Sequence, residues 1–238
     1  MIRALAVVVP ARNEEELLAD CLDALHRAAR HPRVRDLPCR VTVVADACQD
    51  ATAAIARRHG ADLLELTAGN VGAARATGSR HALDTALASR PELTTDGVWL
   101  AHTDADSRVP RDWLARHLDH AACGWQAVVG TVRVTDWTGH PDSTAKAFPR
   151  HYQHDRRADE HQHIHGANLA VRADAYRAAG GFQPLPVGED RTLVAALEAA
   201  GFRIKRTSRN PVATSARRNP RAHGGFGDFL RDLDALPG

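Results

Sequence analysis

Five short apolar runs, separated by helical patterns, constrain this chain more than any other feature. They read ALAVVV (4–9), VTVV (41–44), DLLEL (62–66), VWLAH (98–102) and AVVGTV (127–132). The first is continuous, rich in β-branched residues and stopped by Pro10, as expected of a strand buried on both faces. After it, Asn13 and Glu16 have capping-box spacing, and Leu17, Leu18, Cys21, Leu22 and Leu25 recur at helical intervals. Further helices are expected over 50–60, stopped by Gly60, over 71–87, and from Pro110 onward. Strand–helix alternation of this kind predicts an α/β fold: a Rossmann-like, mainly parallel sheet flanked by helices.

That prediction also locates a site, because parallel sheets bind ligands beyond the carboxyl ends of their strands. Arg12, Asn13 and Glu14 follow the first run, Asp46 the second, and Asp104 and Asp106 the fourth. Three separate loops thus deliver polar groups to one edge.

The length of 238 residues suits a single domain, 1–238. Beyond about residue 133 the rhythm changes. The polar segment 133–165 reads as a long loop with helical pieces. GANLAVRADAYRAAGGF and GEDRTLVAALEAAGFRI form two compact units closed by Gly-Phe, and a glycine-rich then helical tail follows. A net charge of +2 points to neither nucleic acid nor a membrane surface as partner. The N-terminal apolar run is too short for a signal-peptide core, and no later segment reaches membrane-spanning length. Four cysteines without a CxxC pair suit buried thiols in a reducing cytoplasm. The oligomeric state is left open by the sequence.

Several motifs carry chemistry. In DAD (104–106), two carboxylates one residue apart supply hard oxygen ligands for Mg2+ or Mn2+ bridging a diphosphate. A capped turn is the local alternative. In VVADACQDAT, Asp50 reads as a helix N-cap, whereas Asp46 either accepts hydrogen bonds from a base or ribose or stabilises its own turn. GNVGAARATG contains neither GxGxxG nor GxxxxGK[ST], which argues against a dinucleotide-dependent oxidoreductase and a P-loop enzyme. Arg75 within it is a candidate diphosphate contact or an exposed helix arginine. Glu189 and Asp190 open an amphipathic helix, where they complement its dipole or one of them acts as a general base.

Taken in order, PARNE, VADACQD, NVGAAR, DAD, GANLAVR and GED resemble glycosyltransferase family 2, over about residues 5 to 205. The resemblance implies a GT-A fold and inverting, metal-dependent transfer of a sugar from a nucleoside diphosphate to a hydroxyl or amine acceptor. It implies that Pro10, Ala11, Arg12, Glu14 and Asp46 line the nucleoside pocket and that Arg75 faces the diphosphate. Asp104 would lie near the ribose or the metal, and Asp106 would bind the metal, Mn2+ or Mg2+. Gly166, Ala167 and Asn168 would lie beneath the donor sugar and acceptor, with His165 adjoining them. Asp190 would be the catalytic base, with Glu189 as its substitute. Residues 1–132 then form a nucleotide-sugar-binding half, and 133–238 an acceptor-binding half with the tail. The chain departs from the family at Ala45-Asp46, where an acidic pair is usual, at Ala47-Cys48, and at Arg12, where an aromatic residue often stacks on the base.

His151, His154, His161, His163 and His165 crowd one segment without the spacing of a zinc site, and a solvated, acceptor-facing loop is expected there. Arg217, Arg218 and His223 flank a glycine-rich stretch and are candidates for a mobile lid over the diphosphate. Two rivals remain. A nucleotidyltransferase would carry a basic, glycine-rich signature after the first strand, where PARNEEE is acidic. A non-catalytic nucleotide-sugar-binding module would not need both the DAD and ED pairs.

Overall fold

Eight strands form one sheet in the order β3-β2-β1-β4-β7-β6-β8-β5 in the computed structural model, which describes residues 1–152, 159, 161–218 and 225–235. Strands β1 (Ala4–Ala11), β2 (Cys39–Asp46), β3 (Asp62–Leu66) and β4 (Val98–His102) pair in parallel. Helices α1 (Leu18–Ala29), α2 (Thr52–Arg58) and α3 (Val71–Ala88) connect them. Along β1, Leu5, Val7, Val9 and Ala11 join the core with α1, whereas Ala4, Ala6 and Val8 join a second core with α3. This period-two division explains the unbroken apolar run, since both faces of the strand are covered. The fold is the α/β arrangement expected from the alternation.

The second half departs from that rhythm. β6 (Ala127–Val134) is separated from β4 by β7 (Leu169–Arg172), which runs antiparallel to both. The sequence reading did not anticipate β8 (Ile204–Thr214), an eleven-residue strand parallel to β6. Its RTSRNP stretch is polar because much of the strand is half-buried, which hides the strand period. β5 (Ser107–Arg108) follows the acidic couplet directly and pairs antiparallel with β8, setting Ser107 opposite Thr214. Helices α4 (Trp113–Ala122), α6 (Ala173–Ala178) and α7 (Glu189–Ala199) complete the layers. Segment 133–165 contains a helix, α5 (Asp142–His151), which packs with α8 (Phe226–Asp234) through a separate small core that includes Phe148, Tyr152, Leu230 and Leu233. Among the described residues no helix is long and apolar enough to cross a membrane.

Two local expectations are corrected. Asn13 does not cap α1, which begins at Leu18 without a side-chain cap. Asn13 instead adopts a left-handed turn (φ 53°), and its Oδ1 accepts the Gln49 N–H at 2.8 Å. Ala51, rather than Asp50, is the N-cap of α2. Asp50 accepts from the Thr52 N–H (3.0 Å) and from the Glu15 N–H (3.0 Å), so it fastens the β1 loop to the β2 loop.

Candidate functional site

A cavity of about 650 Å³ opens at the carboxyl edge of β1, β2 and β4. The register pairs Ala11 with Ala45 and Val8 with His102, so β1 and β2 end level while β4 ends three residues lower, leaving room above its end for the acidic couplet. Pro10, Ala11, Arg12, Glu14, Asp46, Arg75, Asp104 and Asp106 all line it, as do His165, Gly166, Ala167, Glu189, Asp190 and Arg217.

Asp46 is buried, with both carboxylate oxygens engaged. Oδ1 accepts the Gly69 N–H (2.9 Å) and Oδ2 the Asn70 N–H (2.7 Å). It thereby holds the β3–α3 loop, while Asn70 caps α3 by accepting the Ala73 N–H at 2.9 Å. Of the glycines here, Gly69 lines the cavity, whereas Gly72 has a packing role. A Cβ on Gly72 would meet the Gln183 carbonyl at 2.2 Å, so this glycine lets α3 approach the loop before α7.

The two aspartates of DAD avoid each other by turning to different partners. Asp104 pairs with Nη2 of Arg75, whose Nε donates to Glu189 at 3.0 Å. Arg75 is therefore not an exposed helix residue: it is 2% exposed, wedged between two carboxylates. Burial alone would lower its pKa, but Asp104, Glu189 and Asp190 outweigh that and hold it above the ordinary value. Its Nη1 is buried without a hydrogen-bond partner among the described residues. Gly166 lies directly over the guanidinium, where a Cβ would come within 2.3 Å of Nη2.

Asp106 turns instead to Arg217, whose Nη2 donates to Asp106 (2.6 Å) and to Glu14 (2.9 Å). The Ser107 and Thr214 hydroxyls also reach Asp106, at 3.2 and 3.4 Å. The β5–β8 pairing produces this arrangement, because it brings the chain after β8 back to the acidic couplet. Burial pulls the Arg217 pKa down, but Asp106 and Glu14 prevail and raise it. Arg217 is thus anchored in the cavity wall. Arg218 is exposed, 3.8 Å from Asp234, and is not part of the lining. His223, the third lid candidate, lies outside the described residues.

Asp190 accepts the Gly166 N–H (2.8 Å) and the Arg191 N–H (2.7 Å), so the backbone orients its carboxylate. Glu189 is more deeply buried. Burial raises its pKa, and Arg75 opposes that rise. Asn168 lies beneath the cavity rather than on it. Its amide nitrogen donates to the carbonyls of Thr131 and Asn210, both at 2.8 Å, and its oxygen accepts the Trp113 indole N–H at 2.9 Å. These three side-chain bonds brace α4, β6 and β8.

His151 is exposed at the end of α5, whereas the described stretch 161–165 of the histidine segment is not a solvated loop. His161 is buried and its Nε2 lies 3.1 Å from the Val129 and Thr207 carbonyls, while His163 and His165 are half-buried in a row of parallel rings. Burial withdraws these rings from water because Tyr152 and Phe226 cover them. His154 lies outside the described residues. Tyr152, Phe226, Phe229 and Val187 also line the cavity and were missed by sequence reasoning, since isolated aromatic residues in polar stretches show no period.

The donor set at Asp106 and Glu14 suits a hard divalent ion: two carboxylates converge where a guanidinium now supplies positive charge. Among the described residues no group of three His, Cys, Asp or Glu side chains converges to hold a metal unaided. Such an ion would take part of its shell from ligand oxygens and water.

Comparison with known proteins agrees with this architecture. Residues 6–180 match the family described as Glycosyl transferase family 2. Similar solved structures include the mannosyltransferase PcManGT from Pyrobaculum calidifontis in complex with GDP-Man and Mn2+, with a TM-score of 0.63 at 23% identity, covering 93% of this chain and 59% of that one. S. aureus TarS 1–349 in complex with UDP-GlcNAc has a TM-score of 0.64 at 15% identity, over 98% and 65%. M. tuberculosis glucosyl-3-phosphoglycerate synthase has a TM-score of 0.54 at 17% identity, over 98% and 77%. The chain therefore spans less than two thirds of the first two. A comparison with curated proteins finds no match.

Proposed function

The chain belongs to glycosyl transferase family 2 and has the GT-A fold, and from that premise we propose that it transfers a sugar from a nucleoside-diphosphate sugar to a hydroxyl or amine acceptor, with inversion and with help from Mn2+ or Mg2+. The observation that carries this reading is the junction of two charged groupings in one cavity. Asp106, Glu14 and Arg217 form one, and Arg75 with Asp104 and Glu189 forms the other, with Asp190 beside Gly166 at its edge.

Residues 1–132 serve as the donor half. Arg12, Glu14 and Asp46 face the nucleoside, with Asp46 also holding the loop that the nucleoside meets. Asp106, with Asp104 and Glu14 nearby, holds the divalent ion, which when bound offsets charge on the leaving diphosphate. Arg217 exchanges its carboxylate partners for diphosphate oxygens, and Arg75 keeps Nη1 for an oxygen of the donor. Residues 133–238 serve as the acceptor half.

Asp190 is the general base. As the acceptor oxygen bonds to the anomeric carbon, the bond from that carbon to the diphosphate breaks. The hydroxyl proton passes to the Asp190 carboxylate, whose backbone hydrogen bonds fix its orientation before the acceptor arrives. Glu189, paired with Arg75, positions that guanidinium.

Titration calorimetry with UDP, GDP and their sugars, with and without Mn2+, tests the reading. We expect metal-dependent heat for one nucleotide class and release of nucleoside diphosphate on turnover. Absence of binding to every nucleotide, or release of pyrophosphate from a triphosphate instead, would overturn it.

A further inference from the structure

The cavity changes character along its length. Part of its wall is made of rings, from Tyr152, His163, His165, Phe226 and Phe229. His161, His163 and His165 alternate along an extended segment and so share one face, with neighbouring centroids 6.1 and 6.0 Å apart at 22° and 18°. Tyr152 lies parallel to His163 at 3.9 Å, and Phe226 meets His165 edge-on at 5.6 Å.

The Tyr152 hydroxyl accepts the Val132 N–H at 3.0 Å and makes a 2.8 Å hydrogen bond with Nε2 of His165. Burial, reinforced by His163 and His161, lowers the His165 pKa to about 3, which leaves the ring neutral near pH 7. Among the described residues lining this end, Arg191 is the one permanent cation, and it is exposed. The rim includes Val187, 44% exposed, one of two large apolar side chains left open to solvent among the described residues. Pockets walled by rings take ligands that present an apolar face.

We propose that this end of the cavity selects an uncharged acceptor whose hydroxyl sits on a flat-faced ring, held against His163, His165 and Phe226 with Val187 at the rim. The inference rests on the transferase reading and deepens it. The CH face of a pyranoside and the face of an aryl group present the same chemistry to these rings. An anionic acceptor would instead meet the Asp190 carboxylate, while the buried Arg75 is already engaged by Asp104 and Glu189.

Saturation-transfer NMR on the whole chain tests this without a sugar donor, both alone and with UDP or GDP plus Mn2+. The probes are methyl β-glucopyranoside, p-nitrophenyl β-glucopyranoside and, as the anionic comparator, 3-phosphoglycerate. We expect transfer to ring protons of a glycoside and none to 3-phosphoglycerate; the methyl and aryl compounds separate a sugar from an aryl contact. Phe226→Ala should weaken glycoside binding about fivefold. Phe226→Leu, which keeps the bulk and removes the ring, guards against a folding defect and should weaken it too. Binding of 3-phosphoglycerate in preference to both glycosides, no glycoside binding under any condition, or affinity unchanged to within about twofold in both variants would overturn the inference. Failure of the transferase reading would appear separately, as a lack of nucleotide binding in calorimetry.

Discussion

One end of the cavity is charged and cross-braced, whereas the other is walled by aromatic and imidazole rings. At the first, loops after β1, β2 and β4 and the chain after β8 supply carboxylates that each already meet a guanidinium or a backbone N–H. These loops hang from parallel strands in fixed register, so their geometry is stiff. At the second, Tyr152, His165 and Phe226 come from α5, the segment before β7 and α8, and hold one another chiefly by ring contacts. The contrast teaches how one fold divides its labour. Preorganised charge suits a diphosphate, whose oxygens vary little, while a ring pocket is shaped by side chains that can change without disturbing the sheet.

The largest expected effect lies at the seam between the ends. Asp190→Asn should lower kcat by roughly 10²- to 10⁴-fold with donor Kd retained. If steady-state kinetics showed donor binding lost instead, Asp190 would belong to the charged end. Next is Arg75→Met, which leaves Asp104 and Glu189 without their shared partner. Removing one partner of a buried ion pair costs about 3–5 kcal/mol. Urea unfolding should show a loss of that order, and a change under about 1 kcal/mol would mean the charged end is not braced through Arg75.

Acidification tests the floor beneath both ends. His102 lies under the charged end, its Nε2 2.9 Å from the Ser79 hydroxyl, and His117 packs edge-on against Trp113, which braces Asn168. Burial lowers both pKa values to about 3. The folded state therefore resists protons that the unfolded chain accepts below about pH 6.5. Stability from these two groups is complete above that pH and declines as pH falls toward 3. Between about pH 6.5 and 5 the loss should be roughly 2 kcal/mol for each, read from denaturant midpoints. A flat profile would place these rings in contact with water.

The smallest effect concerns Arg217. Arg217→Gln removes the charge that now sits between Asp106 and Glu14. Binding of Mn2+ without nucleotide, followed by electron paramagnetic resonance, should strengthen by up to about tenfold, the scale of a partly exposed ion pair. Weaker Mn2+ binding would show that Arg217 supports the ion rather than competing with it.

Much of the sheet was legible in the sequence. DLLEL and VWLAH coincide with β3 and β4, and ALAVVV lies within β1, because a strand covered on both faces must be apolar throughout. β8 escaped notice because its half-buried residues need not be apolar; α5 falls among the helical pieces expected over 133–165, but its polar composition hid its bounds. The DAD couplet was visible as chemistry. That its two carboxylates would turn apart was not.

What the sequence determined by itself was the strand–helix order and the set of polar residues leaving the strand ends, since burial and capping act over neighbouring residues. Only the tertiary structure decided which charges meet. Arg75 and Glu189 are 114 positions apart, and Arg217 and Glu14 are 203. No local periodicity encodes such pairs. The Arg217–Glu14 pair exists because β8 runs beside β6 and returns the chain to β5, the Arg75–Glu189 pair because α7 packs against α3, and both because desolvation leaves each buried carboxylate in need of whatever donor the fold brings within reach.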